Sequence, residues 1–477
     1  MIALRRPTNG AGAEPASAST SLAVEIRATL AVAAPLVAAN LSQMVMGLTS
    51  TIMVGRLGGT ALAAAGLGGG LFFTLLLTCR SVLAAVAPLA AHSIGAGNHR
   101  EAGLVAGAGL ALAVIAASPV IAVLSVLDRL LATLGYDPAL AAEVGRFLAA
   151  IRWGAPAFLA FEVLRALLAA SGRARVVMVA LAFGIPANAV VSWALIFGRF
   201  GMPALDVAGA GYATATIQWL MALGLMGFIL LAPHRTPLRV PRRLIDQIRP
   251  ILRLGLPIGG LVALETGVFA TAGVLMGLLG ADALGAHQLT ISFASLTFMI
   301  PLGLGQAATV RVAFELGAKN PARARLAGSV AIAIGTAAMI ATGLLIWAVP
   351  RAIAGLYLDV SDPANAGVVA IALQLLTVAA LFQVVDGVQV IAAGALRGYR
   401  DTKMPMLFAV IGYWGVGFVG GWLLAFPLGY GALGLWWGLA LGLAAVSMML
   451  TLRLRFRAAA EIRAGNSISR REPGRRF

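Results

Sequence analysis

Twelve apolar stretches, each about as long as a bilayer is thick, constrain this chain more than any other feature. They run over 28–50, 62–90, 102–125, 142–169, 176–198 and 208–231, then over 250–277, 284–310, 326–348, 366–394, 405–426 and 432–452. At about 1.5 Å per residue, roughly 20 apolar residues in a helix cross a hydrocarbon core of about 30 Å. A water-soluble domain covers itself with roughly 25% charged residues, whereas this chain has 11% charged and 60% hydrophobic residues. Lipid as the outer solvent removes that difficulty. In lipid every backbone N–H and C=O must be bonded within its own segment, which selects helices and rules out open sheets. The expected fold class is all-α integral membrane, with twelve transmembrane helices.

The net charge of +17 raises the question of a nucleic-acid partner, and the distribution of that charge answers it. Assigned to alternate ends of the helices, one side receives Arg5, Arg6, Arg27, Arg100, Arg173 and Arg175, with Arg235, Arg239, Arg242, Arg243, Arg249 and Arg253 around the central connection. The same side takes Arg311, Lys319, Arg323, Arg325, Arg397, Arg400, Lys403 and the run from Arg453 to Arg476. The opposite side holds only Arg56, Arg129, Arg146, Arg152, Arg199 and Arg351, diluted by acids such as Asp128, Asp137, Asp206 and Asp359. Loops rich in Lys and Arg stay in the cytoplasm. Both termini are therefore expected there, the basic charge reports topology and contact with anionic membrane lipids, and no nucleic acid is expected as a partner.

The chain also matches itself. Gly55, Gly58, Ala61, Leu62, Ala64 and Leu67 each meet an identical residue 222 positions later, from Gly277 to Leu289. The same shift carries Pro35 onto Pro257 and Gly95-Ala96-x-Asn98 onto Gly317-Ala318-x-Asn320; further on it drifts, pairing Gly172 and Met178 with Gly398 and Met404. Six helices per half start both halves on the same side, so the repeat is parallel, as in transporters that rock two lobes about an axis along the membrane normal. The organisation expected is a disordered cytoplasmic tail over 1–24 without a cleavable signal, an N-lobe over 25–231, a Pro- and Arg-rich cytoplasmic linker over 232–249, a C-lobe over 250–454, and a basic cytoplasmic tail over 455–477. The two six-helix lobes are pseudo-symmetric.

Ionisable residues at bilayer depth cost several kcal/mol, which makes each one a candidate functional group. Glu265 lies eight residues after Pro257, and Asp386 lies in the tenth run; neither has a Lys or Arg within two helical turns in sequence. Gln383, Asp386 and Gln389 recur every three residues and so share one helical face. An unpaired carboxylate there escapes its desolvation penalty by taking a proton or by binding a cation. Where a proton or Na⁺ and a cationic substrate exclude one another, exchange follows, and the linkage is reciprocal. The first half differs. Asn40, Gln43 and Ser50 form an uncharged polar stripe, while Arg80, Glu162 and Arg165 supply its buried charges. Glu162 and Arg165 are spaced to pair along one helix, and Arg80 is a further partner for Glu162.

Several segments together resemble the multidrug and toxic compound extrusion (MATE) transporters of the NorM-like branch, over about residues 25–455. They are Met46-Gly47-Leu48 through Thr51-Ile-Met-Val-Gly-Arg-Leu-Gly58, Leu256-Pro257 through Glu265, Ala286-His287-Gln288 with Phe298-Met-x-Pro301, and Phe382-Gln-Val-Val-Asp-Gly-Val-Gln389 followed by Ala392-Ala-Gly-x-Leu-Arg-Gly398. The resemblance implies export of organic cations coupled to inward movement of Na⁺ or H⁺. Many relatives place an Asp where this chain has Ser50. Sodium-coupled relatives often have a Tyr where it has Phe382, which removes one oxygen from a Na⁺ shell at Glu265 and Asp386 and favours H⁺.

The remaining candidates are weaker. Pro35 and Pro257 are the best hinges. His287 and Gln288 suit packing or a bond across helices better than proton transfer. Gly66-x-Gly68-Gly-Gly70 suggests close helix packing, and Cys79, alone of its kind, suggests filler. No nucleophile–base pair, phosphate loop or metal cluster stands out, so no enzyme activity, cofactor or bound metal is expected beyond the coupling ion. The expected function is a cation-coupled antiporter that exports organic cations, a monomer in the bacterial inner membrane. The alternative is a flippase for lipid-linked or amphipathic anionic molecules, for which Arg80 and Arg165 speak.

Overall fold

The repeat is written into the turns that precede several of the helices. In the computed structural model, which describes residues 18–231, 238–239 and 241–471, the described residues contain twelve helices long and apolar enough to cross a membrane. They are α1 (Ala18–Gly55), α2 (Gly59–Gly95), α3 (His99–Leu124), α4 (Pro138–Ala170), α5 (Ala174–Phe197) and α6 (Asp206–Leu231). The second set is α7 (Leu244–Leu278), α8 (Ala281–Gly317), α9 (Pro321–Ala348), α10 (Pro363–Gly398), α11 (Lys403–Ala425) and α12 (Gly431–Arg471). No strand occurs among the described residues.

Asn98 and Asn320 each accept a backbone N–H three residues on, at 3.0 and 3.1 Å, and so cap α3 and α9. This satisfies amides that a first helical turn otherwise leaves bare. The residues just before them, Gly97 (φ 79) and Lys319 (φ 59), both turn through the left-handed region. Gly58 (φ 118) and Gly280 (φ 114) likewise stand before α2 and α8 in the same unusual conformation. All three pairs keep the 222-residue shift. After α4 and α10 the left-handed residues are Gly172 (φ 73) and Arg400 (φ 59), so the backbone pairs Gly172 with Arg400 and not with Gly398.

The helices outrun the apolar stretches that announce them. α1 begins by Ala18, inside the tail expected over 1–24, whose first 17 residues lie outside the described residues. α7 takes in residues 244–249 of the expected linker, of which 232–237 and 240 are not described, and α12 continues to Arg471 in the basic tail. α8 carries on past its apolar run to Gly317 because Arg311, expected in a loop, is buried there and neutralised. Its guanidinium donates from Nε and Nη2 to the two oxygens of Glu25 at 3.0 and 2.7 Å, and from Nη2 to Glu315 at 3.0 Å.

By its internal contacts the chain forms two compact units. One spans Ala38–Gly259; the other takes α1 up to Val37 together with the chain from Gly260 on. The boundaries therefore fall inside α1 and α7 and not in the connection between α6 and α7. Each lies two residues beyond a repeat-related proline, Pro35 or Pro257. A proline inside a helix leaves the carbonyl four residues earlier without its amide, here Ala31 and Arg253, so both helices are weakest next to the place where they change unit.

Glycines bring helices close in places the sequence did not single out. Of Gly66, Gly68, Gly69 and Gly70, only Gly68 meets a neighbour, the Phe147 ring; the others face open space. The tight seam is between α11 and α12, where Gly412, Gly417 and Gly421 lie against Gly442, Gly438 and Leu435 with backbone touching backbone. Cys79 is half-buried against the apolar core of the first unit.

Candidate functional site

Apart from the Arg311–Glu25–Glu315 ion pairs, each unit holds a cluster of polar side chains inside its apolar helices. In the second unit α10 brings Gln383, Asp386 and Gln389 to one buried face, at 3%, 7% and 1% exposure, while α7 supplies the half-buried Glu265. The two helices meet through the rings of Phe269 and Phe382, 6.0 Å apart. Both amide atoms of Gln383, Oδ1 of Asp386 and Oε1 of Gln389 make no hydrogen bond to protein, and neither does the hydroxyl of Tyr413. Such an atom costs about 1–3 kcal/mol when buried. Their concentration beside Asp386 makes this the candidate site.

Two residues that sequence reasoning missed belong here. Arg397, three turns along α10 from Asp386, acts electrostatically on Glu265, and Glu265 in turn acts on Asp386. Tyr413, fully buried in α11, feels all three. It sits where α11 widens into a π-helical stretch, Val410–Phe418, closed by the Val419 N–H donating to the Trp414 carbonyl. Wide turns of this kind recur at functional sites. The next residue, Trp414, donates its indole N–H to the backbone carbonyl of Leu264 at 3.2 Å, fastening α11 to α7 beside Glu265. Neither Glu265 nor Asp386 forms an ion pair among the described residues. The oxygens of Glu265, Asp386, Gln383, Gln389 and Tyr413 are hard donors of the kind a small cation takes. Among the described residues no group of three His, Cys, Asp or Glu side chains could hold a metal.

His287 stands apart from the acids. It is buried, and its Nδ1 accepts the Trp436 indole N–H at 3.2 Å, a bond that fixes the neutral ring with its proton on Nε2. Trp436 and Phe382 complete the aromatic wall, 5.5 Å apart, so Phe382 packs and contributes no oxygen. Gln288, next in sequence, is exposed and does not join His287.

In the first unit the charged residues pair with each other, while Glu162 Oε1 and Asn40 Nδ2 make no hydrogen bond. Glu162 of α4 lies 3.2 Å from Nε of Arg80 on α2 and 3.6 Å from Nε of Arg165 one turn on. Gln43 adds a contact to the same carboxylate, and Arg165 donates to Oδ1 of Asn40 at 3.2 Å. Ser50 is held elsewhere, accepting from Nδ2 of Asn188 on α5 at 3.0 Å; the same amide reaches the Met46 carbonyl at 3.3 Å. Asn188, unremarked in the sequence, is a lone amide within an apolar run two residues after Pro186.

Twelve helices long and apolar enough to cross a membrane, in two repeat-related sets of six, define a polytopic membrane protein. The MatE family model matches twice, at residues 35–194 and 257–423, starting each time at one of the repeat-related prolines, and the chain belongs to that family. The multidrug resistance protein NorM of Burkholderia vietnamiensis is 41% identical over 451 residues, covering 94% of this chain and 98% of that one. A probable multidrug resistance protein NorM of Mesorhizobium japonicum is 40% identical over 435 residues, covering 90% and 93%. Among solved structures, a MATE protein in its bent conformation superposes with a TM-score of 0.84 at 18% identity, over 95% of this chain and all of that one. The eukaryotic MATE transporter AtDTX14 gives 0.81 at 22% identity over 93% of this chain. These likenesses carry the fold.

Proposed function

We propose that this protein is a cation-coupled antiporter that exports organic cations, drugs among them, in exchange for H⁺ or Na⁺. The carrying observation is a pair of acids, Glu265 and Asp386, inside apolar helices with no ion pair among the described residues, set beside buried amide and phenol atoms that no described protein group bonds. A carboxylate at that depth is stable only when neutralised. Occupancy by the coupling ion removes the counter-charge for a cationic substrate, so each expels the other and a gradient of one drives the other. Glu265, Asp386, Gln383 and Gln389 bind, and the two lobes give alternating access by flexing next to Pro35 and Pro257. The relatives' names, multidrug resistance proteins, support the substrate class. Phe382, which offers no oxygen, favours H⁺ over Na⁺. The reading places the protein as a monomer in the bacterial inner membrane, and the arginine distribution supports a multi-pass topology with both termini in the cytoplasm.

A second reading, a flippase for amphipathic anions, draws on one observation: two guanidiniums face one carboxylate in the first unit, an excess of positive charge. Efflux of an ethidium-like cation from a drug-sensitive host, and uptake into proteoliposomes under a pH or a Na⁺ gradient imposed separately, decide between them. Cation movement driven by one gradient supports the antiporter. Movement of an anionic amphiphile with no response of the cation to either gradient overturns it.

A further inference from the structure

The arginines that lead into α7 take no part in either buried cluster. Arg239, Arg242 and Arg243 converge with Arg100, from the first turn of α3, on a cavity of about 650 Å³ whose one acid is Asp246. Four guanidiniums against one carboxylate make its walls strongly positive. All four arginines are exposed, and none forms an ion pair among the described residues. The wall is nevertheless built into the fold. The Arg239 backbone N–H donates to the Gly103 carbonyl at 3.3 Å, and the Gln247 amide donates to Glu101 at 3.0 Å, so α3 holds the segment from both ends. The start of α7 adds unpaired backbone amides and the positive end of its dipole.

On the neighbouring face of α7 lies a second cavity of about 750 Å³, walled by Ile245, Ile248 and Leu252 with Arg249 and Arg253. Ile245 is 78% exposed, an apolar side chain left uncovered beside a basic pocket. A basic pocket at the end of two membrane helices with an apolar track leading from it fits one chemical class, an amphiphile with a phosphate head and acyl tails. We propose that Arg100, Arg239, Arg242 and Arg243 form a specific binding site for the headgroup phosphate of an anionic phospholipid, with an acyl chain lying along Ile245, Ile248 and Leu252. The lipid ties the segment after α6 to the start of α7, the helix that carries Pro257 and Glu265.

The test uses the full-length protein in detergent micelles, titrated with phosphatidylglycerol, phosphatidylcholine or inorganic phosphate and read by native mass spectrometry and thermal stability. Phosphatidylglycerol is expected to stay bound and raise the melting temperature, while phosphatidylcholine and inorganic phosphate do neither. The variant Arg239→Gln/Arg242→Gln/Arg243→Gln is expected to bind phosphatidylglycerol about a hundredfold more weakly, each arginine near a charged membrane surface contributing about fivefold. Its melting temperature without lipid reports that it remains folded. The variant Lys319→Gln/Arg323→Gln/Arg325→Gln, which removes the same charge from the turn before α9 and the start of that helix, is expected to bind as the unaltered protein does. An equal response to inorganic phosphate would make this a free-anion site and overturn the lipid assignment. Unchanged binding in the first variant, or an equal loss in the second, overturns the site itself.

Discussion

In the first half of the molecule one carboxylate, Glu162, serves two guanidiniums, Arg80 at 3.2 Å and Arg165 at 3.6 Å; in the second, the guanidinium of Arg397 acts on Glu265, and the charged neighbour of Asp386 is another acid, Glu265. The backbones that carry these groups repeat closely, down to matched left-handed turns at Gly58 and Gly280. Gln43 stands 222 residues before Glu265, each eight residues after a proline, so the same position holds a neutral amide in one half and an acid in the other. Duplication fixed the scaffold, and the polar side chains then diverged in sign. A buried excess of charge has to be matched by something that comes and goes or by a permanent partner. In the first half both guanidiniums have a carboxylate within 4 Å, although Glu162 Oε1 and Asn40 Nδ2 make no hydrogen bond. In the second, Asp386 and Glu265 form no ion pair among the described residues, and Asp386 Oδ1 and the amides of Gln383 and Gln389 have unbonded atoms. Under the proposed function, that contrast favours exchange in the second half.

The largest effect expected from this contrast is on transport. Asp386→Asn removes the unpaired acid without changing shape, and gradient-driven cation efflux in proteoliposomes is expected to fall by the size of a typical coupling, about 5–150-fold. Asp386→Asn that exports at the unaltered rate would locate coupling elsewhere. Next comes Glu162→Gln, which strands two guanidiniums and is expected to lower stability by about 3–5 kcal/mol. The loss is read as a fall in melting temperature, with efflux per folded molecule retained. If Glu162→Gln instead leaves stability intact and abolishes efflux, the first half shares the chemistry and the comparison fails.

How far these groups could be read from sequence follows from how far apart their partners are along the chain. The twelve spans were legible because lipid demands long apolar runs. Their ends were not, because a helix continues wherever its polar residues find partners, as Arg311 does with Glu25 and Glu315. Glu315 lies one turn from Arg311 and was findable; Glu25, nearly 300 residues away, was not. Gln383, Asp386 and Gln389 were legible as a three-residue period of polar groups in an apolar helix. Arg397 escaped notice as one more arginine at a helix end, and Tyr413 because a phenol in an apolar run looks like packing until the wide turn of α11 is seen. The glycine cluster at 66–70 misled because composition shows where a close approach is permitted, not where a neighbouring helix passes.

Smaller effects test how the second site is held. Trp414→Phe and Trp436→Phe each remove one indole hydrogen bond, to Leu264 at 3.2 Å and to His287 at 3.2 Å, and each is expected to cost about 1 kcal/mol of stability. Only the first acts on the residue beside Glu265. Trp414→Phe is therefore expected to change the ion dependence of efflux, measured as the shift in gradient needed for half-maximal export, while Trp436→Phe leaves it unchanged. Identical behaviour of the two would mean that the attachment of α11 to α7 has no part in coupling.

The smallest effect addresses the half of the comparison that claims likeness. Asn98 and Asn320 cap α3 and α9 with bonds of 3.0 and 3.1 Å, each following a left-handed residue, Gly97 or Lys319. If the scaffolds are equivalent, Asn98→Ala and Asn320→Ala each cost about 1 kcal/mol, the usual loss of a side-chain cap, and their melting temperatures fall together. The left-handed turn supplies a finer contrast. Gly97 pays no steric cost at φ 79, whereas Lys319 carries a side chain through φ 59. Lys319→Gly is therefore expected to stabilise the second turn slightly, by a few tenths of a kcal/mol to about 1, the relief of left-handed strain being partly offset by the greater freedom of glycine in the unfolded chain. Gly97→Lys is expected to destabilise the first by a similar amount. Opposite signs for that pair, with equal losses for the two asparagines, would show that the halves share a backbone and differ only in the residues hung on it.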